Sequence, residues 1–479
     1  MRCERRRKLV LIISAVLFFT GCGKKVVVAP PPPPSPELLF KQGLKDFHKG
    51  TPEAYTRAAD EFRTASKLKP ENCEFALNLA QSLLFLSAEQ VLNWEEFESS
   101  KSEATTVVDA MGPSCVATNE PFVLRLRALV AGRGPTATQM IDRAIELDAN
   151  DAMNWVVLGY LDPGNRLLVT PEGAGRWIAM THAVGLNNES ALIQYELGKN
   201  YQTVPHKEAE SRQAFNRAIE LSPRHFRSYL GLAYSADEDT DVEPLYLEVV
   251  EIAPNFLEGR LALGSYYGSL DEIEKASEQY FAALAVNPKY DVAEFRLGLL
   301  MMGIERNEEA ERHFTRVIEL NPASYEAYYH LGNLLYRRNN FDEAKQRYEQ
   351  ALSIRSNYAE AEYGIGWVYR QKDRNDEAIS QFDKVTRLQP DYGDAHLARA
   401  DIRAERHQFI EAIADYSKAI AAYEQQLKYL NATIAAAEAK SGSRVAQAEK
   451  KRTERDKARV EVVMEHARKA KAEVENALK

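Results

Sequence analysis

A repeat of 34 residues constrains this chain more than any other feature of its sequence. Prolines stand at positions 254, 288 and 322, and two further steps of 34 lead to Ser356 and Pro390. Each of these positions closes a similar phrase, such as ALAVNPKY or VTRLQPDY. A period of about 20 to 50 residues indicates an array in which each structural unit packs on its neighbours.

Small and aromatic residues recur at fixed places inside each unit. Glycine in the middle of a helix costs about 1 kcal/mol relative to alanine, so its recurrence indicates that a second helix crosses closely there. Each unit also has an alanine at a fixed position, and an aromatic residue follows it four positions later. This spacing places the two side chains on one helix face. The glycines are Gly264, Gly298, Gly332 and Gly366, the alanines Ala276, Ala310, Ala344 and Ala378, and the aromatics Tyr280, Phe314, Tyr348 and Phe382.

This pattern resembles the tetratricopeptide repeat (TPR) family, in which two antiparallel helices form each 34-residue unit. The resemblance implies an all-α fold, a TPR superhelical solenoid with a C-terminal helical extension. About eleven units are expected between residues 37 and 424. We expect divergent repeats over 37–254, a regular array over 255–424, and a charged, Ala-rich helical extension over 425–479.

The C-terminal extension leaves three alternatives open. Leu427, Leu430 and Ile434 continue a helical apolar stripe, and Ser441 begins a short break in it. The extension can cap the solenoid and continue as a bent or separate helix, stand as a solvated charged helix, or form a coiled-coil contact. An Ala-rich seam makes the coiled coil weak.

The N-terminus has the pattern of a secretory signal. Five basic residues within the first eight precede an apolar stretch over 9–19. That stretch is shorter than the roughly 20 residues of a membrane-spanning helix. Thr20, Gly21 and Cys22 resemble the lipobox of bacterial lipoproteins, which implies a lipoprotein signal peptide over 1–21 and lipidation of Cys22, with chains such as palmitate. The alternative is a signal peptide cut nearby, with Cys22 incidental.

A proline-rich segment follows the cysteine. Residues 22–36 include five consecutive prolines at 30–34, which favour an extended polyproline II tether. A ligand for a proline-binding domain is the alternative interpretation of this run. Gly23 stands where the enterobacterial sorting pattern has Asp for retention in the inner membrane. By resemblance, the chain is expected at the periplasmic face of the outer membrane, held there by its lipid anchor.

Composition and motifs exclude several functional classes. The formal net charge is −9, without a domain-wide basic excess, which argues against nucleic acid as a partner. The nine histidines are scattered singly, without metal-ligand spacing on one helix face. No phosphate-binding loop or nucleophile motif stands out. We expect no enzyme activity, no metal, no cofactor and no small-molecule substrate.

Two cysteines remain beyond Cys22. Cys73 and Cys115 form an even pair in a chain with an export signal, which is consistent with a disulfide. Two separate buried thiols are an equal alternative.

A stacked helical solenoid offers an extended concave binding surface. The TPR resemblance implies that the first helices line it, at the second, fifth, ninth and twelfth positions of each unit. These positions are rich in Tyr, Trp and Arg, which are enriched at binding hot spots. For Phe295 and Leu299, packing between units is an equal alternative. The predicted partner-binding residues are Phe295, Tyr329, Asn333, Tyr336, Tyr363, Trp367 and Arg370.

The whole-chain architecture resembles the TPR lipoproteins of myxobacterial adventurous gliding motility. That resemblance implies a periplasmic scaffold that binds protein components of a trans-envelope machine. Two alternatives stay open: a pilotin or assembly factor for type IV pilus secretins, and an adaptor for peptidoglycan hydrolases. Pilotins are usually shorter than this chain of 479 residues.

Overall fold

The computed structural model describes residues 34–88, 94–131, 134–161, 182–237, 240–440 and 442–479. Within these residues the regular secondary structure is helical, without strands. The predicted signal peptide, Cys22 and all but the last three residues of the tether lie outside them. None of the described helices combines the length and the hydrophobicity that crossing a membrane requires.

The helices follow one another along the chain with short connections. In the first half they are α1 (Pro36–Phe47), α2 (Pro52–Leu68), α3 (Cys73–Ala88), α4 (Trp94–Asp109), α5 (Pro113–Thr118), α6 (Glu120–Ala131), α7 (Pro135–Leu147), α8 (Ala152–Leu161), α9 (Ala191–Gln202), α10 (Glu208–Leu221), α11 (Phe226–Tyr234) and α12 (Glu243–Ile252).

In the second half they are α13 (Leu257–Ser269), α14 (Ile273–Val286), α15 (Asp291–Gly303), α16 (Asn307–Leu320), α17 (Tyr325–Arg337), α18 (Phe341–Ile354), α19 (Ala359–Gln371), α20 (Asn375–Leu388), α21 (Gly393–Glu405), α22 (Phe409–Ala439) and α23 (Arg444–Leu478). From α13 to α22, odd-numbered helices are the first and even-numbered helices the second of each unit. The predicted number of about eleven units stays a prediction, because residues 162–181 are not among those described.

A single residue in the left-handed backbone region ends the first helix of each regular unit. The five residues are Asp271, Glu305, Asn339, Asp373 and His407, with φ between 56° and 61°. Left-handed backbone costs a residue with a side chain roughly 1–2 kcal/mol. The same conformation recurs at every 34th residue, between the first and the second helix of each unit.

The close helix crossing expected from the glycines is confirmed. A Cβ atom on Gly264 would lie 2.5 Å from the ring of Tyr280, and one on Gly332 would lie 2.6 Å from the ring of Tyr348. Gly364, in the next unit, would place its Cβ 2.6 Å from the opposite side of the same Tyr348 ring. The aromatic ring therefore fills the space between the first helix of its own unit and the first helix of the following unit.

The predicted helical extension is present and packs as a hairpin. α22 runs without a break at residue 425, so the second helix of the last unit and the start of the extension are one helix. α23 is a separate helix that returns along α22, so the structure contains both the separate helix and the helix-to-helix contact that the sequence left open. Buried residues recur every seventh position on both helices, at Tyr416, Tyr423, Leu430 and Ala437 on α22 and at Ala446, Thr453, Val460, Ala467 and Val474 on α23.

Cys73 and Cys115 are brought together by the packing of the N-terminal units. Cys73 is the first residue of α3, and Cys115 lies in the short helix α5. The structure joins their sulfur atoms, with the two Cα atoms 5.8 Å apart. This separation is within the range that a disulfide requires.

The glycine contacts predict opposite effects for two substitutions in α13. Gly264→Ala inserts a methyl group against Tyr280 and should lower the free energy of unfolding by about 1–3 kcal/mol through overpacking. Gly268→Ala is the matched control, because its Cβ would meet only Ala276, at 4.0 Å. That variant should be neutral or stabilised by up to about 1 kcal/mol, since alanine favours the helix. Urea unfolding followed by circular dichroism measures both, and equal effects would contradict the crossing.

The cysteine pair makes a second prediction. Peptide mapping of the protein, purified without reducing agent, should detect a linked Cys73–Cys115 peptide. Closing a loop of this length contributes about 3–4 kcal/mol by chain entropy, so reduction should lower the unfolding midpoint. Two free thiols in the map would contradict the pairing.

Candidate functional site

The seven predicted partner-binding residues lie on three consecutive first helices. We call the face formed by α13, α15, α17, α19 and α21 the groove. All seven side chains are partly buried, so each keeps some surface for a ligand. Phe295 lies on α15, Tyr329, Asn333 and Tyr336 on α17, and Tyr363, Trp367 and Arg370 on α19.

The aromatic residues of α19 are held by rings from the second helices and from the next unit. The ring centroid of Tyr363 lies 5.1 Å from that of Tyr392 and 5.6 Å from that of Phe382. The Trp367 ring lies 6.1 Å from Phe382 and 6.2 Å from Tyr363, both edge-on. Such edge-to-face contacts add about 0.5–1.5 kcal/mol beyond burial. The side chains of Tyr363 and Trp367 therefore pack between units and are also partly exposed.

The residues of α17 are fixed in a similar way. Tyr329 packs edge-on against Tyr358 at 5.2 Å. The hydroxyl of Tyr348 donates a hydrogen bond of 2.8 Å to Oδ1 of Asn333, which orients the amide of Asn333. Tyr336 lies 5.4 Å from Phe341. These contacts hold the side chains of Tyr329, Asn333 and Tyr336 in place without a ligand.

Phe295 belongs mainly to the packing between units. Its ring lies 5.7 Å from Phe314 and 5.8 Å from His330. His330 in turn stacks on Phe314 at 5.1 Å with the rings nearly parallel. Burial lowers the pKa of His330 to about 4, so it packs as a neutral ring near neutral pH. The packing alternative for Phe295 is therefore well supported by its contacts.

Arg370 connects the last two first helices of the array. Its Nη1 donates a hydrogen bond of 3.0 Å to Oδ1 of Asn375, and its Nη2 pairs with Glu405 at the end of α21. The guanidinium is thereby held at the edge of the groove rather than free in solvent.

The structure adds a participant that the sequence did not place in the groove, the helix α23. Trp367 and Arg370 line a cavity of about 650 Å³ together with Asp401 of α21 and with His466 and Val474 of α23. Burial raises the pKa of the Asp401 carboxyl above its usual value. The signal available in the sequence was the slight basic excess of the extension beside an acidic array, but it did not specify a position.

A buried charged cluster closes the end of the array. Arg399, where other units have Leu, donates from Nε to Oδ2 of Asp415 at 2.8 Å and from Nη1 to Oγ1 of Thr386 at 3.1 Å, and it also pairs with Asp383. Burial disfavours the charged carboxylate, yet hydrogen bonds from His396 and Arg399 hold the pKa of Asp415 well below its usual range. Because every charge is paired inside the cluster, it joins α20, α21 and α22 rather than offering a ligand site.

No group of three or more His, Cys, Asp or Glu side chains among the described residues is arranged to hold a metal ion.

Comparison with known proteins identifies the repeat. Models of the tetratricopeptide repeat match residues 324–391 and 363–426. No curated protein sequence matches the chain. Among solved structures, MamA is 24% identical over 35% of this chain and 98% of its own, with a TM-score of 0.33.

Two further solved structures are similar to the chain. YrrB, described as a TPR protein with an unusual peptide-binding site, is 20% identical over 45% of this chain and 95% of its own, with a TM-score of 0.27. Yeast Tom70 is 15% identical over 90% of this chain and 96% of its own, with a TM-score of 0.37. The helix pairing and the repeat models together show that this chain is an all-α solenoid that contains tetratricopeptide repeats.

Proposed function

We propose that this protein is a non-catalytic scaffold that binds partner proteins through its groove. The observation that carries the proposal is the row of partly exposed aromatic and arginine side chains on rigid first helices, in which α19 contributes Tyr363, Trp367 and Arg370. These residue types carry much of the energy at protein interfaces. Since their neighbours already hold them in place, binding loses little side-chain entropy.

The proposed setting is the periplasmic face of the outer membrane. It rests on the N-terminal sequence, where Cys22 follows the lipobox-like residues and the tether over 22–36 leads to α1. Extended polyproline at about 3 Å per residue would hold the array roughly 30–40 Å from the lipid. A role in a trans-envelope gliding machine is proposed from the resemblance of the whole-chain architecture.

Truncation of the groove anchors tests the binding role. Each buried aromatic or arginine anchor commonly carries about 2 kcal/mol or more. Trp367→Ala with Arg370→Ala should therefore weaken partner binding at least tenfold, because about 1.4 kcal/mol is a factor of ten. The measurement is affinity capture from periplasmic extract, with circular dichroism to verify the fold.

The matched control removes one aromatic and one arginine from second helices. Phe281→Ala with Arg316→Ala changes two exposed side chains, on α14 and α16, away from the first helices. This variant should capture the same partners as wild type. If both double variants fold and capture partners equally, the groove is not the binding surface.

The anchor makes a separate prediction. Cys22→Ala removes the only thiol available to the lipobox-like sequence, so the protein should lose lipid labelling and outer-membrane fractionation. Cys73→Ala, which leaves Cys22 in place, should keep both. A Cys22→Ala protein that retains the lipid label and the outer-membrane position would contradict the lipoprotein assignment.

A further inference from the structure

The last helix, α23, connects two distant parts of the array. Near its start, Nη1 of Arg444 lies 2.6 Å from Oε2 of Glu243, and Arg444 also pairs with Glu272. Further along, Nε2 of His466 lies 4.0 Å from Oδ2 of Asp401 in α21. At a helical rise of about 1.5 Å per residue, these two attachments stand about 33 Å apart along α23. The helix therefore passes the three helix pairs from α15 to α20.

α23 lies next to two of the predicted partner-binding residues. Trp367 and Arg370 share their cavity with His466, Ala470 and Val474 of α23. At the other end, Val445 packs against the apolar cluster of α11 to α17. A segment of the chain itself thus lies against both ends of the groove.

The charges of α23 and of the array residues that pair with it are complementary. Residues 444–478 contain ten Lys or Arg and seven Asp or Glu, whereas the whole chain has a net charge of −9. The array residues that form ion pairs with α23 are acidic, and they include Glu243, Glu272 and Asp401. Nη2 of Arg455 lies 3.4 Å from Oδ2 of Asp271 in the turn before α14.

The first half of α23 is attached weakly. The side chains of Arg444 and Arg455 are 48% and 61% exposed, and ion pairs at such exposure stabilise a structure little. The buried seam in this half consists of Ala446 and Thr453, which bury little apolar area. From Val460 onward the seam is more apolar and holds the second half on α22. The first half can therefore leave the array and open the groove beside α13, while the second half stays on α22 next to Trp367 and Arg370.

We propose that α23 is an internal ligand of the groove, and that the external partner presents a basic helix that takes its place. The proposal rests on the protein-binding role above and specifies the class of partner. Two ligands of the same chemistry compete for one surface. The apparent affinity for the partner is consequently reduced by the fraction of molecules in which the groove is open.

The test measures binding of a fluorescently labelled synthetic peptide, with the sequence of residues 444–479, to the full chain by anisotropy. The opened variant, Arg444→Glu with Arg455→Glu, loses the attachments of α23 to α12 and to the turn before α14. Its groove residues are unchanged. We expect this variant to bind the peptide at least tenfold more tightly than wild type, with an affinity that falls as salt is added.

The matched control, Lys469→Glu with Lys471→Glu, makes the same change of charge in the same helix. These lysines pair with Glu465 and Glu475 of α23 itself, so the control should bind the peptide as wild type does. Equal peptide binding by the opened variant and wild type would overturn the proposal.

An opened variant that dimerises without binding the peptide would assign the groove to α23 of a second copy, which also overturns it. Absence of peptide binding, together with loss of partner capture in the Trp367 and Arg370 variant, would reject the basic-helix partner and leave the scaffold role standing.

Discussion

The contact between an aromatic ring of one helix and the backbone of two others determines the geometry of the array. Phe215 would meet a Cβ on Gly198 at 2.6 Å and one on Gly231, in the next unit, at 2.4 Å. The ring therefore sets both the crossing inside a unit and the distance to the following unit. Because this contact repeats, each unit is rotated in a similar way against its neighbour, and the first helices share one continuous face.

That geometry gives each first helix two tasks. One side of α19 packs against the second helices through Gly364 and Gly366, while another carries the partly exposed Trp367 and Arg370. The ring of Trp367 contacts Phe382, which is itself fully buried against Gly366. Groove anchors are thus supported by the same aromatic residues that hold the units together, and a preorganised surface follows directly from the packing.

Local and periodic features were predictable from the sequence because they depend on contacts within one or two units. The glycine crossings, the aromatic spacers and the placement of the predicted groove residues on first helices fall in this class. The residues with left-handed backbone could not be predicted from the sequence, although they recur every 34 residues. Asp271, Glu305, Asn339, Asp373 and His407 differ in type, so their shared backbone conformation leaves no common residue in the sequence.

The position of α23 was not predictable for a different reason. Arg444 and Glu243 are 201 residues apart in the chain, and their contact depends on the curvature accumulated over the intervening units. The sequence indicated a helical extension with a weak seam, but the seam describes only its contact with α22. The second contact, with the array, comes from surface charges whose pairing is visible only in three dimensions.

Amide hydrogen exchange of the full chain, compared between wild type and the Arg444→Glu, Arg455→Glu variant, shows most directly whether α23 covers the groove. If it does, the variant exchanges faster in two places at once, the first half of α23 and the facing ends of α13 and α14, while Val460 to Val474 stay protected on α22. Exchange that is identical in the two proteins, or a first half of α23 that already exchanges in wild type at the rate of an unstructured peptide, would contradict a covered groove.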